Sequence, residues 1–225
     1  LEWREMAGVA VFDINETTLD LAPVRAEVDA IVGTEGGFRA WFARLLQLSV
    51  TVSLTGDCAP FTELGRHALQ AVAATGGRET GDEEWNRVAR AFAALEAYPD
   101  VGPGLRALRS AGWTTAALTN TPRAAVAAQL EHAGLADAFD RVLSVDAVGR
   151  FKPAPEPYEH ALAELGVDAD GAWMVACHDW DLAGARAVGM RTAYVRRPGM
   201  SYARALPPAD VEVGDFEELA ARPSA

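Results

Sequence analysis

The sequence predicts an α/β fold, a doubly wound parallel sheet carrying a helical segment inserted after its first strand. Three observations predict it. Short apolar runs recur along the chain, each ending in polar residues, as buried parallel strands do. Helical patterns lie between these runs, and strand alternating with helix is the signature of such a sheet. Between residues 21 and 97 the alternation stops and the apolar spacing becomes purely helical.

In chain order, the apolar run 9–12 reads as the first strand and ends at Asp13. In the segment that follows, Phe38, Trp41, Phe42, Leu45 and Leu46 fit the i, i+3, i+4, i+7, i+8 stripe of a helix. Leu64, His67, Ala68 and Val72 form a second stripe, and Trp85, Val88, Ala89 and Phe92 a third. Gly-rich residues 33–37 and residues 55–60 mark turns between them. Tyr98-Pro99-Asp100 and Gly102-Pro103-Gly104 mark the return to the sheet. Helical patterns then cover 101–110, 122–132, 155–165 and 182–188, alternating with strands at 114–118, 141–145, 173–176 and 192–195. After Pro207 there is room for one short strand and helix. The expected organisation is a core domain from 1–20 and 98–225 with a helical cap domain from 21–97.

Composition narrows the partners. Twenty basic and 32 acidic residues give a net charge of −12, which repels phosphate backbones and anionic membranes. A small-molecule substrate is expected, with neither nucleic acid nor membrane as partner. Cys58 and Cys177 are too few for a disulfide framework and lack zinc-ligand spacing. The charged start, Leu1 to Glu5, has no signal-peptide character, so a cytoplasmic protein is expected.

In doubly wound sheets, ligands bind at the carboxyl ends of the strands. Asp13, Thr119, Asn120, His178, Asp179 and Asp181 all fall there. An Asp after a strand can simply cap a turn, and Thr119-Asn120 before Thr121-Pro122 also reads as a helix N-cap. Lys152 is harder to explain as structure alone. It is the only lysine in the chain, against nineteen arginines. Such singular use suggests a site that needs a compact ammonium and has no room for a planar guanidinium.

These segments together resemble the haloacid dehalogenase superfamily of aspartate-nucleophile hydrolases. The Asp13 to Thr17 spacing is similar to its first motif, Leu118-Thr119-Asn120 to its second, Lys152-Pro153-Ala154-Pro155 with Tyr158 to its third, and the 175–185 stretch to its fourth. Trp180-Asp181 followed by Gly184-Ala185 looks like the L-2-haloacid dehalogenase branch in particular. The resemblance implies a Rossmann-like core under a helical cap, in which Asp13 displaces a group from carbon to give an ester that water then hydrolyses. It further implies that Lys152 and Thr119 stabilise charge, that Asp181 orients Lys152 and helps activate water, and that Thr17 assists as a fifth catalytic residue. Asn15, Asn120, Tyr158, His178, Trp180, Phe42, Arg44, Leu46 and Phe61 are expected around the substrate. No metal or cofactor is expected, and the resemblance is compatible with a homodimer.

The chain departs from the pattern at several positions. Phosphatases of the superfamily need an acid where Asn15 stands, dehalogenases have Tyr there, and Cys177 replaces a metal-ligand acid of the phosphatases. His178 stands where the dehalogenases have Asn. Those enzymes also carry Arg directly after a Trp in the cap, whereas Trp41 is followed here by Phe42. At about 100° per residue, Arg39 and Arg44 fall at the two edges of that helix's apolar face, where either could turn into the cleft although an edge arginine is more often solvated; Arg44 is the one counted among the substrate residues. Glu16 is a possible substitute acid, though its side chain is expected to point away from that of its neighbour Asn15. A phosphatase of the same superfamily and a non-catalytic binding protein on the same fold are the alternatives. His67, His132 and His160, with Trp3, Trp85, Trp113 and Trp173, are read as surface or packing residues.

Overall fold

The computed structural model describes residues 8–57 and 59–222. Trp3, Cys58 and the charged start of the chain lie outside the described residues. Six parallel strands, β1 (Val9–Phe12), β2 (Thr114–Thr119), β3 (Arg141–Ser144), β4 (Ala172–Ala176), β5 (Arg191–Val195) and β6 (Val211–Val213), form one sheet in the order β3-β2-β1-β4-β5-β6. The central strands are apolar on both faces because helices cover both: β4 is buried at every position, as is β1 from Ala10 onward. The strand order reverses between β1 and β4, which pair in register from Val9 with Ala172 to Phe12 with Val175. A crevice at such a reversal is the natural ligand position. Asp13 leaves one lip of it and Cys177-His178 the other.

Four helices, α1 (Ala22–Val32), α2 (Gly37–Thr55), α3 (Phe61–Thr75) and α4 (Asp82–Ala93), run between β1 and the rest of the sheet. The first was not apparent in the sequence, although its buried Val24, Val28, Ile31 and Val32 have helical spacing. Trp41 anchors the group: it is fully buried, and its indole N–H donates to Gly65 O on α3 at 2.8 Å. The two strands of chain joining these helices to the sheet lie side by side. Asp20 N donates to Glu96 O and Tyr98 N to Thr18 O, around a Leu19–Ala97 bridge.

The remaining helices are α5 (Val101–Ser110), α6 (Arg123–His132), α7 (Pro155–Leu165), α8 (Asp179–Ala187) and α9 (Phe216–Ala221). Helix α8 starts three residues before the position expected from sequence, so His178 is its N-cap residue and Asp179 and Asp181 lie in its first turn. The expected end of β3 at Val145 becomes a short 3-10 turn, 145–147. Arg197, buried just after β5, ties the connections together. Its Nε donates to Thr17 O at 2.9 Å, its two terminal nitrogens pair with both oxygens of Asp100, and its guanidinium lies over Tyr98 at 4.1 Å. No helix among the described residues is long and apolar enough to cross a membrane.

Helix α5 reaches α9 through Gly104, where an added Cβ would come within 2.5 Å of Phe216 Cβ and 2.7 Å of its backbone. Backbone cannot yield as a side chain can. Gly104→Ala is therefore expected to cost about 2 kcal/mol and to lower Tm by roughly 4–8 °C. Gly102→Ala, whose methyl meets only the mobile Arg106 guanidinium at 3.3 Å, should leave Tm unchanged or slightly raised. Paired thermal melts check the contrast.

Candidate active site

Lys152 is the centre of the site and is 1% exposed. Its ammonium donates to Asp13 Oδ1 at 2.9 Å, to Asp181 Oδ2 at 2.6 Å and to Leu118 O at 3.0 Å. Those three bonds use all three of its N–H groups, so burial leaves no donor unmatched. Burial works against the charge, but Asp13 and Asp181 outweigh it and hold the Lys152 pKa above its ordinary value. The loop carrying Lys152 is pinned by Asn120, whose Oδ1 accepts from Lys152 N at 2.9 Å, and by Ser53 of α2, whose Oγ accepts from Phe151 N at 3.0 Å.

Asp13 is the hub. Besides Lys152, its Oδ2 accepts from Thr17 Oγ1 at 2.7 Å and lies 3.1 Å from His178 Nδ1. Burial raises its pKa, but Lys152 and then His178 more than offset this and hold the carboxyl far below the usual range. Asp13 is thus a carboxylate at any physiological pH. Thr17 in turn accepts from Cys177 N at 3.0 Å, which locks the turn after β1 to the end of β4.

Asp181 has both oxygens occupied. Oδ2 takes Lys152, and Oδ1 accepts from the buried Tyr158 hydroxyl at 2.6 Å. Burial raises its pKa and Lys152 opposes that. Asp181 is fully buried between these two donors, and the role this geometry displays is to orient Lys152. Tyr158 is fully buried behind Asp181, so its expected place against the substrate is corrected: it positions a carboxylate.

The second half of the site differs from expectation at Glu16. Its φ of 63° lies in the left-handed region, which a non-glycine residue enters at a cost of about 1–2 kcal/mol. That backbone turn carries the side chain inward. Glu16 Oε2 lies 3.1 Å from His178 Nε2, and Oε1 accepts from Arg25 Nη2 of α1 at 3.0 Å. Asp13, His178, Glu16 and Arg25 therefore form one continuous line of charge-assisted contacts. Burial opposes a charged His178 ring, but Cys177, Asp13 and Glu16 around it prevail and raise its pKa well above the imidazole range. The carboxylates of Asp13 and Glu16, one at each ring nitrogen, favour the charged form of His178.

Above these groups is a cleft of about 270 Å³ lined by residues that include Glu16, Arg25, Arg39, Phe42, Leu46, His178 and Trp180. Phe42 faces His178 at 6.0 Å and Trp180 faces it at 5.2 Å. Arg44 is not part of this cleft. It is exposed and donates to Gln47 Oε1 at 2.7 Å, while Arg39, at the other edge of the same helix, lines the cleft with no carboxylate paired to it among the described residues. Phe61 packs on Phe151 at 5.5 Å and lines a separate apolar groove with Trp41, Leu45 and Phe92, so it lies outside the catalytic cleft. Asn15 donates to Thr121 Oγ1 at 3.0 Å, and Thr119 Oγ1 accepts from Thr121 N at 3.1 Å as a turn cap. Asn120, expected around the substrate, gives its side-chain carbonyl oxygen to the backbone of the Lys152 loop. Arg25 was missed because the helical spacing of Val24, Val28, Ile31 and Val32, the signal that marks α1, was not read. Glu16 was missed because side-chain direction was read as if its backbone were ordinary.

Residues 8–189 match the family model described as haloacid dehalogenase-like hydrolase. The chain is 32% identical over 211 residues to (S)-2-haloacid dehalogenase 1 of Pseudomonas sp. strain CBS-3, covering 93% of each. Its structure is similar to that of L-2-haloacid dehalogenase from Xanthobacter autotrophicus, with a TM-score of 0.86 at 27% identity over 96% of this chain and 97% of that one. The structure of the same enzyme with chloropropionic acid covalently bound matches equally well, with a TM-score of 0.86.

The raised His178 pKa has a defined consequence. A folded-state value above the ordinary 6.5 means that the charged ring stabilises the fold fully below pH 6.5, and that this contribution is lost as pH climbs through the folded value. Nitrogen NMR of the ring should show imidazolium persisting above pH 7. A ring that is neutral at pH 7 in the free enzyme would contradict the assignment.

Proposed function

The chain belongs to the haloacid dehalogenase-like hydrolases, and on that premise we propose that it releases halide from a small 2-halocarboxylic acid through an ester formed on Asp13. The observation that carries this reading is the buried Asp13–Lys152–Asp181 cluster, in which the Lys152 ammonium keeps the Asp13 carboxylate ionised although it is out of water.

In the first step an Asp13 oxygen attacks C2 of the substrate. The new C–O bond forms as the C–halogen bond breaks, and halide leaves with the electron pair. No acid is required. Thr17 and His178 hold Oδ2 and Lys152 holds Oδ1, which fixes the carboxylate in one orientation and leaves Oδ1 a lone pair for the attack; such positioning is worth several kcal/mol. The substrate carboxylate meets Arg39 at the cleft wall, where Phe42, Leu46 and Trp180 supply apolar surface around the halogen.

Esterification removes the Asp13 charge, and with it part of what kept His178 protonated. Proton and halide leave through the cleft. His178 then has a free Nδ1 facing the aspartyl carbonyl and an Nε2–H held by Glu16, the arrangement of a general base with its orienting carboxylate. Water gives its proton to Nδ1 and its oxygen to the carbonyl carbon. Collapse expels the 2-hydroxy acid, which takes its proton from His178. The released Asp13 carboxyl proton returns to the ring, restoring the starting state.

A phosphatase reading fits these residues poorly. Asn15 is an amide and cannot protonate a leaving oxygen, and it is already bonded to Thr121. Asp13 and Asp181, the carboxylates that would turn to magnesium, face a lysine ammonium, a tyrosine hydroxyl, a threonine hydroxyl and an imidazolium instead.

A halide-release screen over 2-chloro- and 2-bromoacids and fluoroacetate, beside phosphate release with and without magnesium, tests the reading. Halide release undiminished by chelator is expected, and a single turnover in oxygen-18 water should label the Asp13 peptide. Phosphate release restored by magnesium after chelation would overturn it. Lys152→Arg should be nearly as damaging as Lys152→Ala, because a planar fork cannot reproduce three divergent bonds in a sealed space. Retention of more than about a third of the rate, a loss under roughly 0.7 kcal/mol, would contradict that account.

A further inference from the structure

We infer that Arg25 is a positioning residue for the ester-hydrolysis half of the reaction, supplying the charge and the contact that let the His178–Glu16 pair become a base once Asp13 is alkylated. This rests on the reading above and goes beyond it.

The geometry starts from Glu16. Its side chain is 3% exposed, and each of its two oxygens has one cationic partner, His178 on the sheet side and Arg25 on α1. A carboxylate held at one oxygen can rotate about its terminal bond, whereas one held at both has a single orientation. Arg25 is itself held on its other face, since its guanidinium lies 4.4 Å over the ring of Phe38, which stacks on Phe42, which faces His178. Arg25 thus belongs to the helical insertion and touches neither Asp13 nor the ring of His178. Its effect passes through Glu16.

Charge counting gives the role its direction. In the resting site Asp13, Asp181 and Glu16 are three negative charges, and Lys152, His178 and Arg25 are three positive ones. The cluster is neutral. Alkylation of Asp13 leaves it at plus one in a crevice of low dielectric, and the labile proton in that set is the one on His178. Its loss restores neutrality and creates the base at the moment water must be activated. Without Arg25 the resting cluster is at minus one and alkylation brings it to zero, so nothing drives the proton from His178. The other charged or titratable groups near the ring are Asp179 beside it on α8, Cys177 just after β4 and Arg39 across the cleft. The carboxylate that the adduct carries pairs with Arg39, so those two charges cancel, and alkylation leaves Asp179 and Cys177 as they were.

The two half-reactions therefore separate. Displacement depends on Asp13 and Lys152 and is expected to keep its rate within about threefold in Arg25→Met. Hydrolysis is expected to slow at least tenfold, the scale of a small misplacement of a catalytic group. Rapid-quench halide measurement with 2-chloropropionate should give a burst of one equivalent per enzyme followed by a slow steady state, with the alkyl adduct on the Asp13 peptide seen by mass spectrometry. The acid limb of the hydrolytic phase should move to higher pH by about one unit, since removing a positive charge makes the imidazolium harder to deprotonate. Arg25→Lys keeps the charge and should restore the pH profile in large part.

A burst and steady state that slow together, or an unmoved pH profile, would overturn the assignment of Arg25. If Arg25→Met does not fold, Phe38→Leu removes the ring beneath the guanidinium while keeping the arginine, and a slowed hydrolytic phase with an intact burst is again expected. An unchanged hydrolytic phase in that variant would overturn the assignment equally. Wild-type enzyme that forms neither halide nor adduct from any 2-haloacid would instead overturn the dehalogenase reading itself.

Discussion

A single ammonium group buried between two carboxylates constrains much of this molecule. Desolvating Lys152, Asp13 and Asp181 together costs several kcal/mol for each ion, and only close pairing with every remaining lone pair and proton matched makes the arrangement tolerable. The neighbouring sequence follows from that requirement. Leu118, the last residue but one of β2, must turn its carbonyl to the third Lys152 proton, and Tyr158 must bring a hydroxyl to the far oxygen of Asp181. Gly184 must lack a side chain, because a Cβ there would come within 2.7 Å of the Tyr158 hydroxyl and 2.8 Å of Pro153 O. Asn120 must fix the backbone of the residue whose side chain does the pairing.

The sheet order explains how residues so distant in sequence meet. With the reversal between β1 and β4, the turn after the first strand and the start of α8 face one another across one crevice, while Lys152 arrives from the loop before α7. Thr17, bonded to both Asp13 and the backbone of Cys177, closes that crevice at its base. Arg197 supports the same turn from beneath by holding Thr17 O and the Asp100 carboxylate. The nucleophile thus sits on rigid strand ends, whereas the groups that complete the water-activating side come partly from the inserted helices.

This division also marks what the sequence could reveal. Strand-and-helix alternation is a signal carried by many residues at once, so the sheet strands and the Asp13, Thr119, Lys152 and Asp181 loops were legible, with boundaries a few residues out where α8 begins at Asp179. Single side-chain directions are not carried that way. Glu16 turns inward because its φ is 63°, a property of a tight turn that no hydrophobic pattern encodes. Arg39 and Arg44 lie at opposite edges of one apolar face, and helical spacing alone could not decide which edge the cleft meets. Packing of α2 on its neighbours decides it, exposing Arg44 beside Gln47 and leaving Arg39 on the cleft wall. Tyr158 was placed at the site correctly but on the wrong side of Asp181, a distinction of one side-chain layer.

His178 and Phe42, which stand where the family resemblance implies Asn and Arg, pack against one another and are understood together. The Phe42 and His178 rings stack with centroids 6.0 Å apart, so an arginine in place of Phe42 would bring a second cation beside a charged His178 ring, and two such charges repel where water is scarce. Phe42 removes the conflict and offers the ring a flat neighbour, with Trp180 on its other side. A histidine that must change protonation during the cycle also needs a carboxylate on its far nitrogen, which Glu16 supplies. Burying Glu16 requires a cation in turn, which Arg25 supplies from α1. One exchange at the strand end thus propagates outward through Glu16 to the inserted helices, each step fixed by the cost of leaving a buried charge unpaired.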